Sequence, residues 1–495
     1  MYAAVTSASV LGVDAALVRV EVFIASGLPS FTLVGLPGAA VQESRERVRA
    51  ALKQLGFPLP PSRIVVNLAP ADVRKEGPAF DLPIALALLA ADRRLPKRLL
   101  DHVLAFGELA LDGSLRPVRG AVSIGVLAVR AGGLSVLAPP DNGAEVALVP
   151  GAKVVAPASL AAALAHLTGR APLPGCQPAR SASDEPVAEL TDVRGHGVAK
   201  RALEVAAAGR HNLLLTGPPG AGKSMLAARL PGILPPLTAS EAVEVSRVHS
   251  SAGLLSGRSL ITRPPFRSPH HSGSQAGIVG GGALPRPGEA SLAHHGVLFL
   301  DELPEFSRAV LEALRQPLED GVISISRAYG SLSFPARFQL VAARNPCPCG
   351  HHDVDGVECA CSAAAVARYQ QRVSGPLLDR IDLRLRIARL SDEELLGASR
   401  GERTQVVAGR VLAARERMLS RQGKVNGELS GDELQRHARP TGAAETLLRE
   451  VVSRLRLTGR GFDRLLRVAR TLADLADETR IGDSHLAEAA SYRQA

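Results

Sequence analysis

Apolar and polar residues alternate along the first part of the chain, between residues 5 and 24. A period of two is typical of strands that bury one face. Residues 42–55 instead place apolar side chains at helical spacing, residues 64–68 form a short apolar run, and residues 80–91 are apolar on all sides. These patterns predict a mixed unit of strands and helices in which the helix at 80–91 is buried.

Three short apolar runs follow in the middle of the chain, at 213–216, 297–300 and 340–343. Each run is followed by glycine or polar residues, and long helical stretches separate the runs. Buried strands that alternate with helices indicate a parallel sheet covered on both faces. From about Ser391 onward the pattern is helical to the last residue, which predicts an all-helical C-terminal part.

A proline-rich stretch without apolar periodicity, from Ala171 to Pro186, is typical of a linker between domains. The chain of 495 residues is too long for one ordinary core. We therefore expect an α/β protein of three domains joined by one linker. The predicted boundaries are 1–170 for the first domain, 171–188 for the linker, 189–390 for the parallel-sheet domain and 391–495 for the helical domain.

The chain is basic, with a formal net charge of +10 and a pI near 9.8. Such a charge suits a polyanionic partner, although a solvated basic surface explains it equally well. No secretory signal is visible at the first residues, and the apolar runs are too short to cross a bilayer. Four of the five cysteines are clustered, which favours a reducing compartment over a disulfide framework. These features predict a cytoplasmic protein without membrane contact.

A glycine-rich segment between a predicted strand and a predicted helix matches the phosphate-binding P-loop pattern. In such a loop the backbone amides and the helix N-terminus surround the phosphates of a nucleotide. We expect Lys223 to reach the β- and γ-phosphates and Ser224 to ligate Mg²⁺. The segment consists of Gly217, Pro218, Pro219, Gly220, Ala221, Gly222, Lys223 and Ser224.

Acidic residues follow the second buried run, where Asp301 and Glu302 come directly after Leu300. Ligands of open α/β sheets bind at the carboxyl ends of the strands, so these acids should face the P-loop. Asp301 is expected to hold Mg²⁺ through water, and Glu302 to polarise the attacking water. Asn345 follows the third run and is a candidate sensor of the γ-phosphate. The sequence thus predicts hydrolysis of ATP or GTP with Mg²⁺.

Four cysteines lie close together after Asn345, in two C-x-C pairs. Four thiolates can hold a tetrahedral structural zinc ion. A reduced loop without metal and a redox-sensitive pair are the alternatives. The cysteines are Cys347, Cys349, Cys359 and Cys361.

Beyond the nucleotide motifs, the segments 267–271, 279–283, 285–289 and 291–303 resemble the magnesium-chelatase-like AAA+ proteins. More narrowly, the whole chain resembles the bacterial YifB/ComM group. The resemblance implies an N-terminal domain with the Lon-protease fold (ribosomal S5 domain 2-like), a P-loop AAA+ core and a C-terminal helical lid. It also implies a hexameric ring that binds branched or single-stranded DNA and drives branch migration in recombination or natural transformation.

Two arginines gain roles from this resemblance. Arg380 lies at the position of an arginine finger, which reaches into a neighbouring subunit's nucleotide site. Arg460 lies at the position of the lid sensor, with Arg464 as the fallback. The paired histidines at 270–271 are expected in a loop that projects towards the pore, and those at 294–295 are expected to pack and hydrogen-bond.

A Lon-like domain raises the alternative of a protease, which in Lon needs a Ser–Lys dyad. Here Ala79 stands at the expected serine and Val122 at the expected lysine, so the domain is expected to be non-proteolytic. A protein-remodelling motor and a chelatase-type motor subunit, neither of which moves DNA, are the remaining alternatives to a helicase.

Overall fold

The structure is a computed structural model, and it is a mixed α/β protein with parallel strands, as the sequence predicts. It describes residues 1–178, 188–255, 259–282, 285–327, 330–354, 357–390, 401–440 and 442–493.

The first part of the chain forms a seven-stranded mixed sheet in the order β3-β4-β2-β1-β5-β8-β9. Its long central strands β1 and β2 are antiparallel neighbours, whereas β1, β5, β8 and β9 run parallel. A small separate hairpin pairs β6 with β7. The strands are β1 (Tyr2–Leu11), β2 (Asp14–Ala25), β3 (Ser30–Val34), β4 (Arg63–Ala69), β5 (Val103–Ala105), β6 (Glu108–Leu109), β7 (Leu115–Arg116), β8 (Ser135–Leu137) and β9 (Lys153–Val155).

Six helices cover this sheet. The predicted apolar helix is α3, and every one of its residues is buried, because neighbouring elements surround it on all sides. A run without polar positions can be accommodated only in such an environment. The helices are α1 (Ala39–Gln42), α2 (Ser44–Gln54), α3 (Asp81–Ala91), α4 (Ala121–Arg130), α5 (Pro140–Ala147) and α6 (Leu160–Leu167), with a 3₁₀ turn at Lys97–Leu100.

The middle of the chain forms a five-stranded sheet in which every pairing is parallel, in the order β11-β12-β15-β10-β16. The three apolar runs predicted as strands are β10, β12 and β15. Because all strands are parallel, their carboxyl ends lie at one edge of the sheet. The strands are β10 (Leu213–Thr216), β11 (Phe266–Arg267), β12 (Val297–Leu300), β15 (Gln339–Arg344) and β16 (Leu383–Arg386), and a hairpin of β13 (Val322–Arg327) and β14 (Gly330–Pro335) precedes β15.

Successive residues of these strands enter two different cores. Leu213 and Leu215 of β10 belong to one apolar cluster, while Leu214 between them belongs to another. The same division holds for β12 and β15. A strand buried on both faces reads as a continuous apolar run, which is why no alternation marks these segments.

Helices flank both faces of the parallel sheet. Helix α10 begins with a capping box, in which Thr238 and Glu241 each accept from the other's backbone amide, and ends at Gly253 in a left-handed conformation. The helices are α7 (Gly197–Gly209), α8 (Lys223–Ala227), α9 (Leu230–Ile233), α10 (Ala239–Ala252), α11 (Gln275–Val279), α12 (Glu289–Leu292), α13 (Arg308–Ala313), α14 (Arg315–Asp320), α15 (Ala363–Gln370) and α16 (Gly375–Leu378).

The last part of the chain is helical over its described residues, and residues 391–400 lie outside them. Its helices share one apolar cluster with α7 and with one face of the parallel sheet. They therefore pack directly on the nucleotide-binding part of the chain. The helices are α17 (Thr404–Gln422), α18 (Asp432–His437), α19 (Gly442–Leu455), α20 (Gly459–Leu475) and α21 (Asp483–Ser491), with a 3₁₀ turn at Asn426–Glu428 between α17 and α18. Two further 3₁₀ turns, at Leu190–Asp192 and Leu303–Glu305, belong to the middle of the chain.

The first part of the chain packs on α10 through α4, and α5 adds a hydrogen bond to the same helix. Arg247 donates to the carbonyl of Val13 at 2.9 Å and to the carboxylate of Asp14 at 2.5 Å. Buried Ser250 hydrogen-bonds the buried carboxyl of Glu145. The two parts of the chain are thus joined by polar contacts that apolar side chains surround.

The first residues of the predicted linker lie against the N-terminal sheet. The amide of Cys176 donates to the carbonyl of Val154 in β9 at 2.9 Å, and that of Leu173 donates to His166 at 3.0 Å. Residues 179–187 of the predicted linker are outside the described part of the chain. Among the described residues, no helix is both long enough and apolar enough to cross a membrane.

Candidate nucleotide-binding site

The glycine-rich segment forms a tight loop between β10 and α8. Gly220 and Gly222 have φ angles of +77° and +81°, which other residues rarely adopt. A Cβ on Gly217 would lie 2.3 Å from the carbonyl oxygen of Ile387, so no larger residue fits there. Around Gly220 a Cβ would meet nothing within 4 Å, which leaves the loop open to an incoming phosphate.

Lys223 is the first residue of α8, and its side chain lies back across the loop with 8% of the residue exposed. Its ammonium group donates to the carbonyls of Gly217 at 2.7 Å and Pro218 at 2.9 Å, and to Oδ1 of Asn345 at 3.0 Å. Burial lowers the pKa of Lys223, and the nearby carboxylates of Asp301 and Glu302 oppose that shift. The lysine is thus held, as a hydrogen-bond donor, where phosphate oxygens can replace the loop carbonyls.

Asp301 follows β12 and lies next to the P-loop. The hydroxyl of Ser224 donates to Oδ2 of Asp301 at 2.6 Å, and the other carboxylate oxygen accepts from the amide of Glu302 at 2.9 Å. A hydroxyl and a carboxylate at this separation are hard oxygen ligands of the kind that Mg²⁺ takes together with phosphates and water. The pair fits the predicted metal role.

Glu302 carries an exposed carboxylate on a left-handed backbone with φ of +52°. Its Oε2 lies 3.2 Å from Nδ1 of His271. The sequence prediction of a projecting loop did not anticipate this contact, and it also missed α11, where Ile278 and Val279 are buried. A signal was present, since His271 comes soon after β11 and the carboxyl ends of β11 and β12 share an edge.

The two predicted arginines lie together, far from this chain's own P-loop. Arg380 and Arg460 line one cavity of about 590 Å³, together with Arg464. Asn212, Phe338 and Asp382 also line it, and these residues precede β10, β15 and β16. The cavity therefore lies at the amino-terminal edge of the parallel sheet, opposite the edge that holds Lys223.

Arg380 is held in place within that cavity. Its guanidinium forms an ion pair with Glu319 and donates to the carbonyl of Pro376 at 2.5 Å, and its side chain is 10% exposed. Arg464 is 6% exposed, and burial is the main cause that lowers its pKa. Arg460 is exposed at the start of α20.

The paired histidines at 294–295 lie just before β12 and contact the residues just before β15. Nδ1 of His294 accepts from the amide of Arg337 at 3.0 Å, so its Nε2 carries the proton that faces Glu244 at 3.2 Å. Burial, followed by the neighbouring His295, lowers the pKa of His294 to about 3. The ring is therefore neutral at physiological pH, and it joins the start of β12 to the residues before β15, as the expected packing role requires.

The remaining predicted residues divide between two regions. The four clustered cysteines lie in one group after β15, with their sulfur atoms within 4.8 Å of one another. In the N-terminal part, Val122 is fully buried at the contact with α10, and its amide donates to Oγ of Ser250 at 3.4 Å. Ala79 packs at the edge of a separate apolar cluster. An alanine and a valine at these two positions supply no nucleophile and no base.

Three family models match the chain, and together they cover most of it. The model described as subunit ChlI of Mg-chelatase matches residues 20–142. The model described as magnesium chelatase, subunit ChlI, matches 189–395, and its C-terminal model matches 401–493.

Several relatives match over nearly the full length of both chains. An uncharacterised protein of Mycobacterium tuberculosis is 48% identical over 99% of this chain and 98% of its own. YifB of Escherichia coli is 46% identical over 98% and 95%, and the competence protein ComM of Haemophilus influenzae is 45% identical over 99% and 97%.

A weaker similarity covers a quarter of the chain. The Lon protease of Syntrophomonas wolfei is 28% identical over 141 residues, which are 27% of this chain and 17% of the protease. The P-loop, the acidic strand end and Asn345 are assembled at one edge of a parallel sheet, and relatives match from end to end, so the chain belongs to the YifB/ComM family of magnesium-chelatase-like AAA+ proteins.

Proposed function

We propose that this protein is an ATP-hydrolysing motor that assembles as a homo-hexameric ring and acts on branched or single-stranded DNA as a branch-migration helicase. In this role it would serve recombination or natural transformation. One observation carries the proposal. Lys223 lies at the carboxyl edge of the parallel sheet, whereas Arg380 and Arg460 lie at its amino-terminal edge.

Hydrolysis is supported by the residues at the carboxyl edge of the sheet. Lys223 and the loop amides would hold the phosphates, and Ser224 with Asp301 would hold Mg²⁺. Glu302 would orient the attacking water, with its carboxylate positioned by His271. Asn345 accepts from Lys223 through Oδ1, which leaves its amide NH₂ free to donate to the γ-phosphate.

Assembly is supported by the arginines at the opposite edge. An arginine at the amino-terminal edge cannot reach a nucleotide at the carboxyl edge of the same sheet. In a head-to-tail ring, however, one subunit's amino-terminal edge faces the next subunit's P-loop. Arg380 and Arg460 would then stabilise the charge that develops on a neighbour's phosphates.

Action on DNA is supported by the chain's charge of +10 and by the name of a relative, the competence protein ComM. The hairpin β13/β14 offers a mechanical connection. Only residues 336–338 separate β14 from β15, and β15 ends next to Asn345. A change at the γ-phosphate can therefore pass along one strand to a hairpin on the other side of the sheet.

The experiment is steady-state ATPase activity with and without four-way-junction DNA, at low and moderate salt. Lys223→Ala serves as the control without phosphate binding. We expect junction DNA to stimulate the wild-type protein, more weakly as salt rises, because contacts with phosphates release counterions. ATPase activity that ignores DNA at every salt concentration would instead favour a protein-remodelling or chelatase-type motor.

A further inference from the structure

The four clustered cysteines have the spacing of a tetrahedral metal site. The sulfur of Cys347 lies 3.4 Å from that of Cys349 and 3.7 Å from that of Cys359, and the latter two lie 3.6 Å apart. Cys361 completes the group within 4.8 Å. With zinc–sulfur bonds of about 2.3 Å, the sulfurs of a tetrahedral zinc site lie about 3.8 Å apart. The observed distances match that spacing.

Other uses of four cysteines fit less well. A disulfide needs its sulfurs about 2.05 Å apart, and all four cysteines are free. In a [4Fe–4S] cluster each cysteine binds a different iron atom, and in a [2Fe–2S] cluster the four cysteines bind two irons in pairs, so neither cluster brings all four sulfurs around one shared ion. The backbone amide of His352 donates to the sulfur of Cys347 at 3.3 Å, a contact that orients a metal-bound thiolate.

The segment that carries the first two cysteines presses against the P-loop. A Cβ on Gly350, whose φ is +83°, would lie 2.4 Å from Cδ of Pro219. Cys347 itself is fully buried, two residues after Asn345. The position of this segment is therefore tied on one side to the phosphate loop and on the other to the sensor strand β15.

The same segment forms a wall of a second cavity. This cavity has a volume of about 250 Å³ and is lined at one end by Thr216, the last residue of β10, and by the first two residues of the P-loop, Gly217 and Pro218. His352, Asp353 and Val354 line one side of it, and residues 386–389, from the last residue of β16 onward, line the other. Asp353 joins the two sides through an ion pair with Arg386 at 3.3 Å.

We propose that Cys347, Cys349, Cys359 and Cys361 hold one zinc ion, and that this ion fixes the wall of the cavity in which the base of a bound nucleotide lies. The second half of the proposal rests on the proposed function, since it takes the P-loop to hold the phosphates. A base attached to those phosphates then enters the adjoining cavity. No disulfide joins the described residues between 347 and 361, so the zinc–sulfur bonds would be the cross-link that holds the wall in place. Loss of the metal would remove that cross-link.

The first measurement is the zinc content of the purified full-length protein, by elemental analysis. Cys359→Ser removes one ligand, and Cys176→Ser is the matched control, because Cys176 lies in the N-terminal part of the chain. We expect about one zinc per chain in the wild type and in the control, and loss of zinc in Cys359→Ser. Wild-type protein without zinc, or Cys359→Ser with full zinc, would overturn the metal site.

The second measurement is the dissociation constant of a fluorescent ADP analogue. We expect it to rise about tenfold in Cys359→Ser and to stay unchanged in Cys176→Ser. Unchanged affinity in zinc-free protein would overturn the role of the wall. Should Cys359→Ser fail to fold, zinc is removed from the wild type with a chelator while circular dichroism monitors the helices. Zinc added back must then restore the affinity for the ADP analogue. If it does not, the role of the wall is overturned.

These outcomes separate the zinc site from the proposed motor function. Lys223→Ala should keep its zinc while it loses nucleotide binding, because its side chain does not contact the cysteines. A protein that contains zinc but whose ATPase ignores DNA would refute the DNA motor alone. A protein that hydrolyses ATP on DNA but contains no zinc would refute the metal site alone.

Discussion

Nζ of Lys223 and Oδ1 of Asn345 lie 3.0 Å apart, although the two residues are 122 positions apart in the chain. The contact joins the beginning of α8 to the end of β15 and places the P-loop lysine beside the candidate sensor asparagine. The two side chains can therefore respond to the same phosphate group.

Asn345→Ala should slow hydrolysis without weakening nucleotide binding. The asparagine is expected to act on the γ-phosphate, whereas the loop amides and Lys223 hold the rest of the phosphate chain. Loss of a hydrogen bond to a charged group costs about 1.5–3 kcal/mol, which corresponds to a fall in kcat of about 10- to 100-fold. The measurements are kcat for ATP and the dissociation constant of ADP. A tenfold loss of ADP affinity would contradict the assignment.

His271→Ala should lower kcat about tenfold with little change in nucleotide affinity. The histidine contacts Glu302, so its loss removes the group that orients the Glu302 carboxylate towards the attacking water. On a Glu302→Gln background, which should itself lose nearly all activity, the same substitution should have no further effect. An additional loss in the double variant would mean that His271 acts by a separate route.

Arg380→Ala should abolish hydrolysis and yet be rescued by mixing. Because the arginine lies at the opposite edge of the sheet from Lys223, one active site would combine residues of two subunits. An equal mixture of Arg380→Ala and Lys223→Ala subunits should recover about a quarter of the wild-type activity, since a quarter of random interfaces pair two intact halves. Mixtures as inactive as each variant alone would contradict a shared site. Arg449→Ala, on the exposed face of α19, is the control substitution.

Glu145→Gln should stabilise the protein at alkaline pH. Burial raises the pKa of Glu145 from its ordinary value of 4.5 to about 7, against the hydrogen bonds of Ser250 and Asn142. The folded state therefore binds this proton more tightly than the unfolded state. Its contribution to stability is fully present below pH 4.5 and is lost as the pH rises through 7.

The neutral amide of the variant avoids that loss. At pH 8 we expect Glu145→Gln to be more stable than the wild type by at most about 3 kcal/mol, with the difference vanishing near pH 4.5. Thermal unfolding midpoints at the two pH values provide the measurement. Glu450→Gln, at an exposed position of α19, should show no such pH-dependent difference. Equal midpoints for Glu145→Gln and wild type at pH 8 would refute the prediction.

The pattern of the chain predicts three of the five strands of the parallel sheet to within a residue, at 213–216, 297–300 and 340–343 against β10, β12 and β15, and it misses the short strands β11 and β16. It also predicts the fully buried helix α3. These elements can be predicted because their apolar runs are continuous. Such runs occur where a strand is covered on both faces or a helix on all sides. In contrast, the short helix α11 inside a glycine-rich segment has too few residues for its period to be recognised.

The contact of His271 with Glu302 was not predicted, because it joins two loops whose conformations no local pattern specifies. The contact of Ser250 with Glu145 was missed for a similar reason. It arises where α10 meets α5, and each side chain alone resembles an ordinary polar position. Such pairs depend on how whole elements pack on one another.

The sequence by itself predicted the residues of the candidate nucleotide site. A P-loop needs eight contiguous residues, and the ends of parallel strands must meet at one edge, so Lys223, Asp301 and Asn345 follow from local pattern alone. Only the tertiary structure decided where Arg380 and Arg460 lie. Both follow turns and helices whose direction depends on packing against the sheet, and that packing places them at the edge away from their own P-loop. The spacing of residues along the chain does not indicate at which edge of the sheet an arginine lies, because its position depends on contacts between residues far apart in sequence.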